Sequence, residues 1–173
     1  MIEELHSQLT VCPSAIVCSV GGGGLLCGIL TGLAKVGWQD VPVVAMETKG
    51  AESFNKSVKA GHIVRLPEIT SIAKCLGSVV VSQQLMDYLP TRPIFSEVVE
   101  DREAVLACLK FADDHRMLVQ PACGATLAAL YSETLSHLIQ NEDIKGDGPV
   151  VVIVCGGCDV TLNICEKWKQ IVK

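Results

Sequence analysis

Two stretches of this sequence hold residues whose type and spacing can do chemistry. The apolar run VVVIVCGGC, Val150–Cys158, ends in two cysteines separated by two glycines. A C-x-x-C pair beside a strand suits thiol redox exchange or half of a zinc site. The second stretch is GGGG, Gly21–Gly24, set between the strand-like SAIVCSV and the helical LLCGILTGLAKVGW. Backbone without Cβ lets a ligand approach closely, and successive N–H groups opening a helix favour an anion. A phosphate fits that arrangement, and the apolar flanks argue against a flexible linker. Neither the G-x-G-x-x-G pattern nor the Gly-Lys-Ser/Thr of a Walker loop is present. The loop by itself names no particular phosphate compound.

Both stretches need a sheet to hold them. Ser14–Val20, Val41–Glu47, Ile94–Val99 and Val150–Val154 read as strands, the last fully apolar. Helical spacing follows the glycines and recurs over Ala51–Ala60, Asp101–Asp114 and Gly124–Gln140, with a closing helix from Asp159 onward. Strand, glycine loop, helix and strand within roughly thirty residues mark a βαβ crossover in a parallel sheet. The expected fold class is α/β: a three-layer parallel sheet with helices on both faces. Gly61–Pro93 is irregular apart from a short helix in SQQLMDYL. The opening residues MIEELHSQL have the stripe Ile2, Leu5, Leu9 of an amphipathic helix with no strand before it, so the chain is expected to be incomplete on its N-terminal side.

The chain has 173 residues, 49% hydrophobic and 19% charged, enough for one domain with a sizeable core. Its net charge of −5 gives no electrostatic footprint for nucleic acid or an anionic membrane. No apolar run approaches the ~20 residues needed to span a bilayer, and no signal peptide is recognisable. The nine cysteines are scattered among apolar and helical residues, which fits reduced thiols in the cytosol used as small hydrophobes. The four histidines, His6, His62, His115 and His137, are dispersed and read as surface residues. A zinc site at Cys155 and Cys158 would need two more ligands, and no second C-x-x-C exists.

Taken in order, SVGGGGLLCGI, VPVVAMET, ITSIAKCLG, MLVQPACGATLAA and VVVIVCGGC together resemble the L-serine dehydratase/L-threonine deaminase family. These are pyridoxal-phosphate enzymes of fold type II, and the likeness covers nearly the whole chain. The resemblance implies that Gly21, Gly22, Gly23, Gly24 and the N–H of Leu25 hold the cofactor phosphate. It implies that Cys155 faces the pyridine nitrogen, where a neutral thiol offers only a weak hydrogen bond. It further implies a monovalent-cation site, with the Glu47 carboxylate and backbone carbonyls of Ala51, Leu76 and Ser78 as oxygen ligands suited to potassium. The implied reaction is deamination of L-serine, and of L-threonine, to a 2-oxo acid and ammonia. The implied assembly is a homodimer.

One part of the family pattern is missing. No Schiff-base lysine of the family's Ser-x-x-x-Lys type occurs, nor the loop that takes the substrate carboxylate. Lys74 and Lys110, in apolar surroundings, read as snorkelling side chains. Residues 1–173 are therefore expected to be the C-terminal part of the large cofactor domain, inactive alone. A non-catalytic phosphate- or subunit-binding fragment is the alternative, and a thiol-redox domain a weaker one. There are also local departures: Gln120 stands where the resemblance leads one to expect Glu, and Cys158-Asp159 where it leads one to expect a small polar residue followed by Asn.

Overall fold

The computed structural model describes residues 1–170 and Val172. Four parallel strands, β1 (Ala15–Ser19), β2 (Val43–Thr48), β3 (Ile94–Val99) and β4 (Val150–Val152), form one sheet in the order β3-β2-β1-β4. Every residue of β1 and β2 is buried, which is why both read as continuous apolar runs rather than alternating ones. Successive side chains nevertheless go to opposite faces. Val17, Val44 and Met46 join one core, and Ile16, Cys18, Val43 and Ala45 the other.

Helices cover both faces, as expected. On one side lie α1 (Ile2–Gln8), α2 (Gly24–Lys35) and α4 (Gln83–Tyr88). In α2, Leu26, Ile29, Leu30 and Leu33 are buried at the spacing of one helical face. On the other side lie α5 (Asp101–His115), α6 (Pro121–Tyr131) and α7 (Thr134–Gln140). The connection α3 (Ser53–Ala60) joins β2 to β3, and α8 (Leu162–Trp168) follows β4. The amphipathic opening segment forms α1, with Ile2 buried against Gly32 of α2.

Three boundaries differ from the sequence reading. The single helix expected over Gly124–Gln140 is two. α6 begins earlier, because Pro121 occupies its first turn, where the missing N–H costs nothing. It ends at Ser132, whose hydroxyl accepts the Thr134 N–H at 3.3 Å, and α7 begins after Glu133. The strand expected over Val150–Val154 is only three residues long and half-buried, because it lies at the sheet edge. The closing helix begins at Leu162 rather than Asp159, its N-cap being the Thr161 hydroxyl, which accepts from the Ile164 N–H.

The packing of α5 on α6 depends on a residue with no side chain. A Cβ on Gly124 would run into the Ala104 carbonyl oxygen and would lie 2.6 Å from the Cys108 sulfur. Gly124→Ala is therefore expected to destabilise the fold by about 1–3 kcal/mol through overpacking, measured as a lower urea midpoint with unchanged m-value.

Candidate functional site

The site follows from the strand order. The chain moves outward from β1 to β2 to β3 and then returns to the other side of β1 with β4. Where strand order reverses, the loops leaving the carboxyl ends of the two strands diverge and leave a crevice. Here those loops are Gly21–Gly24 after β1 and the Cys155 segment after β4. They line one cleft of about 270 Å³ together with Leu25, Cys75, Leu76, Gln120, Ala122 and Cys123. A larger groove of about 1130 Å³ runs along α1 and α2 and shares Gly22, Gly24 and Leu25 with the cleft. Its other polar walls, including Glu3, Glu4 and Lys35, are surface groups, so the smaller cleft is the chemically convergent one.

The glycine loop is open to an anion. Among the described residues, no N–H from Gly21 to Leu26 donates to a protein acceptor, the first helical bond being Cys27 N–H to Gly23 O at 2.8 Å. Gly23 has φ +98°, and a Cβ there would meet the Ser82 hydroxyl oxygen at 3.0 Å. A Cβ on Gly21 would press on the Leu76 backbone at 3.3 Å. Unpaired N–H groups at the start of a 12-residue helix carry its positive end. The donor set thus fits a phosphate, in a cradle that side chains would crowd.

Cys155 is exposed at the opposite wall. Burial raises its thiol pKa, and the neighbouring Cys123 raises it further, so the group is a neutral thiol. A reactive thiol of a redox pair is usually shifted the other way. Among the described residues no three His, Cys, Asp or Glu side chains gather as a metal site.

The segment bearing Cys155 is held by residues to which the sequence reading assigned no role. The Cys123 sulfur accepts the N–H groups of Cys155 and Gly156, each at 3.2 Å, and its S–H donates to Gly156 O at 3.3 Å. Gln120 N–H donates to the same Gly156 carbonyl at 3.1 Å. The side-chain amide of Gln120 also donates to the Asp159 carboxylate. The two positions singled out as departures are therefore the two ends of one hydrogen bond. Asp101, in the first turn of α5, accepts from the Ser71 hydroxyl at 2.6 Å and the Ile72 N–H at 3.0 Å. It thereby fixes the loop that leads into Cys75 and Leu76.

Glu47 is fully buried at the end of β2. Its two carboxylate oxygens accept the N–H groups of Phe54 at 2.9 Å and Asn55 at 2.6 Å, at the start of α3. Burial pushes its pKa up to about 8 against these two bonds, with Glu52 adding repulsion. Ala51 and Leu76 are buried in the chain's core, while the Ser78 hydroxyl donates to Val80 O at 2.6 Å. Lys74 is exposed and reaches only Ile69 O, and Lys110 lies 5.5 Å from the Tyr131 ring centre.

The profile of a family described as pyridoxal-phosphate dependent enzymes matches residues 1–156. The chain is 54% identical over 163 residues to the Bos taurus protein called L-serine dehydratase/L-threonine deaminase, covering 94% of this chain and 50% of that one. It is 52% identical over 171 residues to the Homo sapiens protein of the same name, covering 98% and 52%. The chain thus spans about half the length of the curated relatives it matches. A fungal L-serine ammonia-lyase from Rhizomucor miehei superposes with a TM-score of 0.91 at 37% identity, over 99% of this chain and 54% of that one. A threonine deaminase from Solanum lycopersicum, at 19% identity and a TM-score of 0.78 over 98% of this chain and 44% of that one, shares the fold.

Two measurements check this geometry. Gly23→Ala is expected to cost about 1–3 kcal/mol of stability because of its positive φ. Gly24→Ala, whose Cβ would meet nothing within 4 Å, should stay within about 0.5 kcal/mol of the parent. For Glu47, the folded chain binds the proton more tightly than the unfolded one, so stability is greatest with the carboxyl neutral. It should fall as pH rises from 4.5 through about 8. Glu47→Gln loses one N–H acceptor and begins less stable, but its unfolding free energy should lack that decline.

Proposed function

The chain belongs to the pyridoxal-phosphate-dependent enzyme family, and from that premise we propose that it forms the phosphate and ring-nitrogen side of an ammonia-lyase acting on L-serine and L-threonine. The observation that carries this reading is the unpaired N–H array of Gly21–Leu25, facing Cys155 across a single cleft, in a chain about half identical to L-serine dehydratases along nearly its whole length. When bound, pyridoxal phosphate supplies an electron sink for the substrate's α-carbon. The products are a 2-oxo acid and ammonia.

The residues of this chain bind and tune. The N–H groups of Gly21–Gly24 and Leu25 take the phosphate oxygens, and the α2 dipole favours their charge. The Cys155 thiol, kept neutral by burial, would face the pyridine nitrogen and offer it only a weak hydrogen bond, where an aspartate would hold it protonated. The buried carboxylate of Glu47, with backbone carbonyls of Ala51, Leu76 and Ser78, takes a monovalent cation such as potassium, whose charge would offset the cost of ionising Glu47. The lysine that anchors the cofactor belongs to the part of the relatives' length that this chain does not span. The working assembly is a homodimer in the cytosol, where the nine free thiols stay reduced.

The test is a coupled assay of the longest natural form of the chain, supplied with pyridoxal phosphate and potassium. Release of ammonia and a 2-oxo acid from L-serine or L-threonine is expected. A folded, cofactor-supplemented sample that releases neither would overturn the reading. Residues 1–173 alone should turn nothing over and should lose the cofactor on dialysis. Stoichiometric retention after dialysis would contradict the assignment of the anchoring lysine elsewhere.

A further inference from the structure

Gln120 lines the cofactor cleft and makes four hydrogen bonds. Its N–H donates to Gly156 O at 3.1 Å. Its carbonyl accepts the Gly124 N–H at 2.9 Å and the Cys108 thiol at 3.3 Å. Its side-chain amide donates to Asp159. It therefore grips the segment after β4 at two points, one just beyond Cys155 and one three residues further on. Gln120, Cys75 and Ala122 also form the common wall between the cofactor cleft and a second cleft of about 180 Å³. Asp159, Lys74, Ile164 and Trp168 line that second cleft.

We propose that Gln120 and Asp159 are a positioning pair that latches the Cys155 segment to the start of α6, through an amide–carboxylate contact whose polarity can be inverted. The latch itself is a feature of the chain. Its consequence for the cofactor ring rests on the function proposed above. The contact needs one donor and one acceptor, and it does not matter which side supplies which. Glutamate has the shape of glutamine, and asparagine the shape of aspartate. Gln120→Glu alone sets two carboxylates against each other with no proton between them, whereas Asp159→Asn alone leaves two amides that can still pair. Both changes together restore a charge-assisted bond, now donated from position 159. A residue that merely filled space would respond to none of these exchanges of polarity, since volume is nearly constant throughout.

The experiment is amide hydrogen exchange over residues 153–160 in the longest natural chain, for the parent, Gln120→Glu, Asp159→Asn and the double variant. Local opening should be roughly five-fold more frequent in Gln120→Glu, in line with loss of one charge-assisted bond at a partly exposed site. The double variant should return to within about two-fold of the parent. Unchanged exchange in Gln120→Glu, or a double variant as fast as that single one, overturns the latch. The absorbance and fluorescence maxima of bound pyridoxal phosphate, read on the same four proteins, should shift in Gln120→Glu and return in the double variant. Cofactor uptake with maxima that are the same in all four proteins overturns the positioning role. A parent protein that takes up no cofactor refutes the proposed function, while the exchange pattern still decides the latch.

Discussion

Everything at this site depends on the pairing of β1 with β4. Only three residues of each strand are in register, Ala15 with Val150 through Val17 with Val152. The pairing is extended at both ends by Ser14 N–H to Pro149 O at 3.0 Å and Ile153 N–H to Val17 O at 2.9 Å. A further bond from the Ser14 hydroxyl to Gly148 O closes a separation of 134 residues. Closing so long a loop has an entropic cost that grows only slowly with length, and a few well-placed contacts can offset it once the rest of the sheet exists. The glycine loop itself is held by β1, α2 and the Ser82 N–H, which donates to Gly22 O at 3.0 Å, none of them on β4. Without this seam it would face no opposite wall.

The cysteines illustrate how one residue type serves different needs according to surroundings. Cys18 lies wholly inside the sheet, and burial raises its pKa strongly, with nearby Cys155 contributing. Cys108 is likewise raised by burial, with Cys123 and Cys165 contributing, and its thiol donates to a carbonyl at the α5–α6 contact. Cys123 uses its sulfur as an acceptor for two successive N–H groups that a loop would otherwise leave unpaired. Sulfur is large and polarisable enough to serve both at once. Cys155 lines the cleft on the wall opposite the glycine loop, beside Cys123. Cys155 and Cys158 are both free and exposed.

The fold was largely legible because fully buried parallel strands leave uninterrupted apolar runs and α2 leaves a clean periodic stripe. Where the reading slipped, the reasons are local. α6 is buried on nearly all sides, so it has no polar face to show its period, and the Ser132 break was hidden within a helix-favouring stretch. The glycine loop was legible as an anion cradle from composition alone. Cys123, Gln120 and Asp101 were not, because their work is hydrogen bonding across a fold that sequence spacing does not display. Gln120 and Asp159 are 39 residues apart, and two oddities noted separately proved to be one contact. Glu47 was singled out only through the family resemblance. Its distinction, complete burial against a helix start, is purely three-dimensional.

The wall made by Gly21–Gly24 presents no side chains. Whatever it holds is recognised by main-chain geometry, which a side chain at Gly21 or Gly23 would crowd. The opposite wall is built from side chains and sulfur contacts, each of which can be exchanged singly. The cleft is therefore asymmetric in its tolerance of change. One side is a fixed socket common to any ligand with the right anionic group, and the other is where chemical character can drift without loosening the grip.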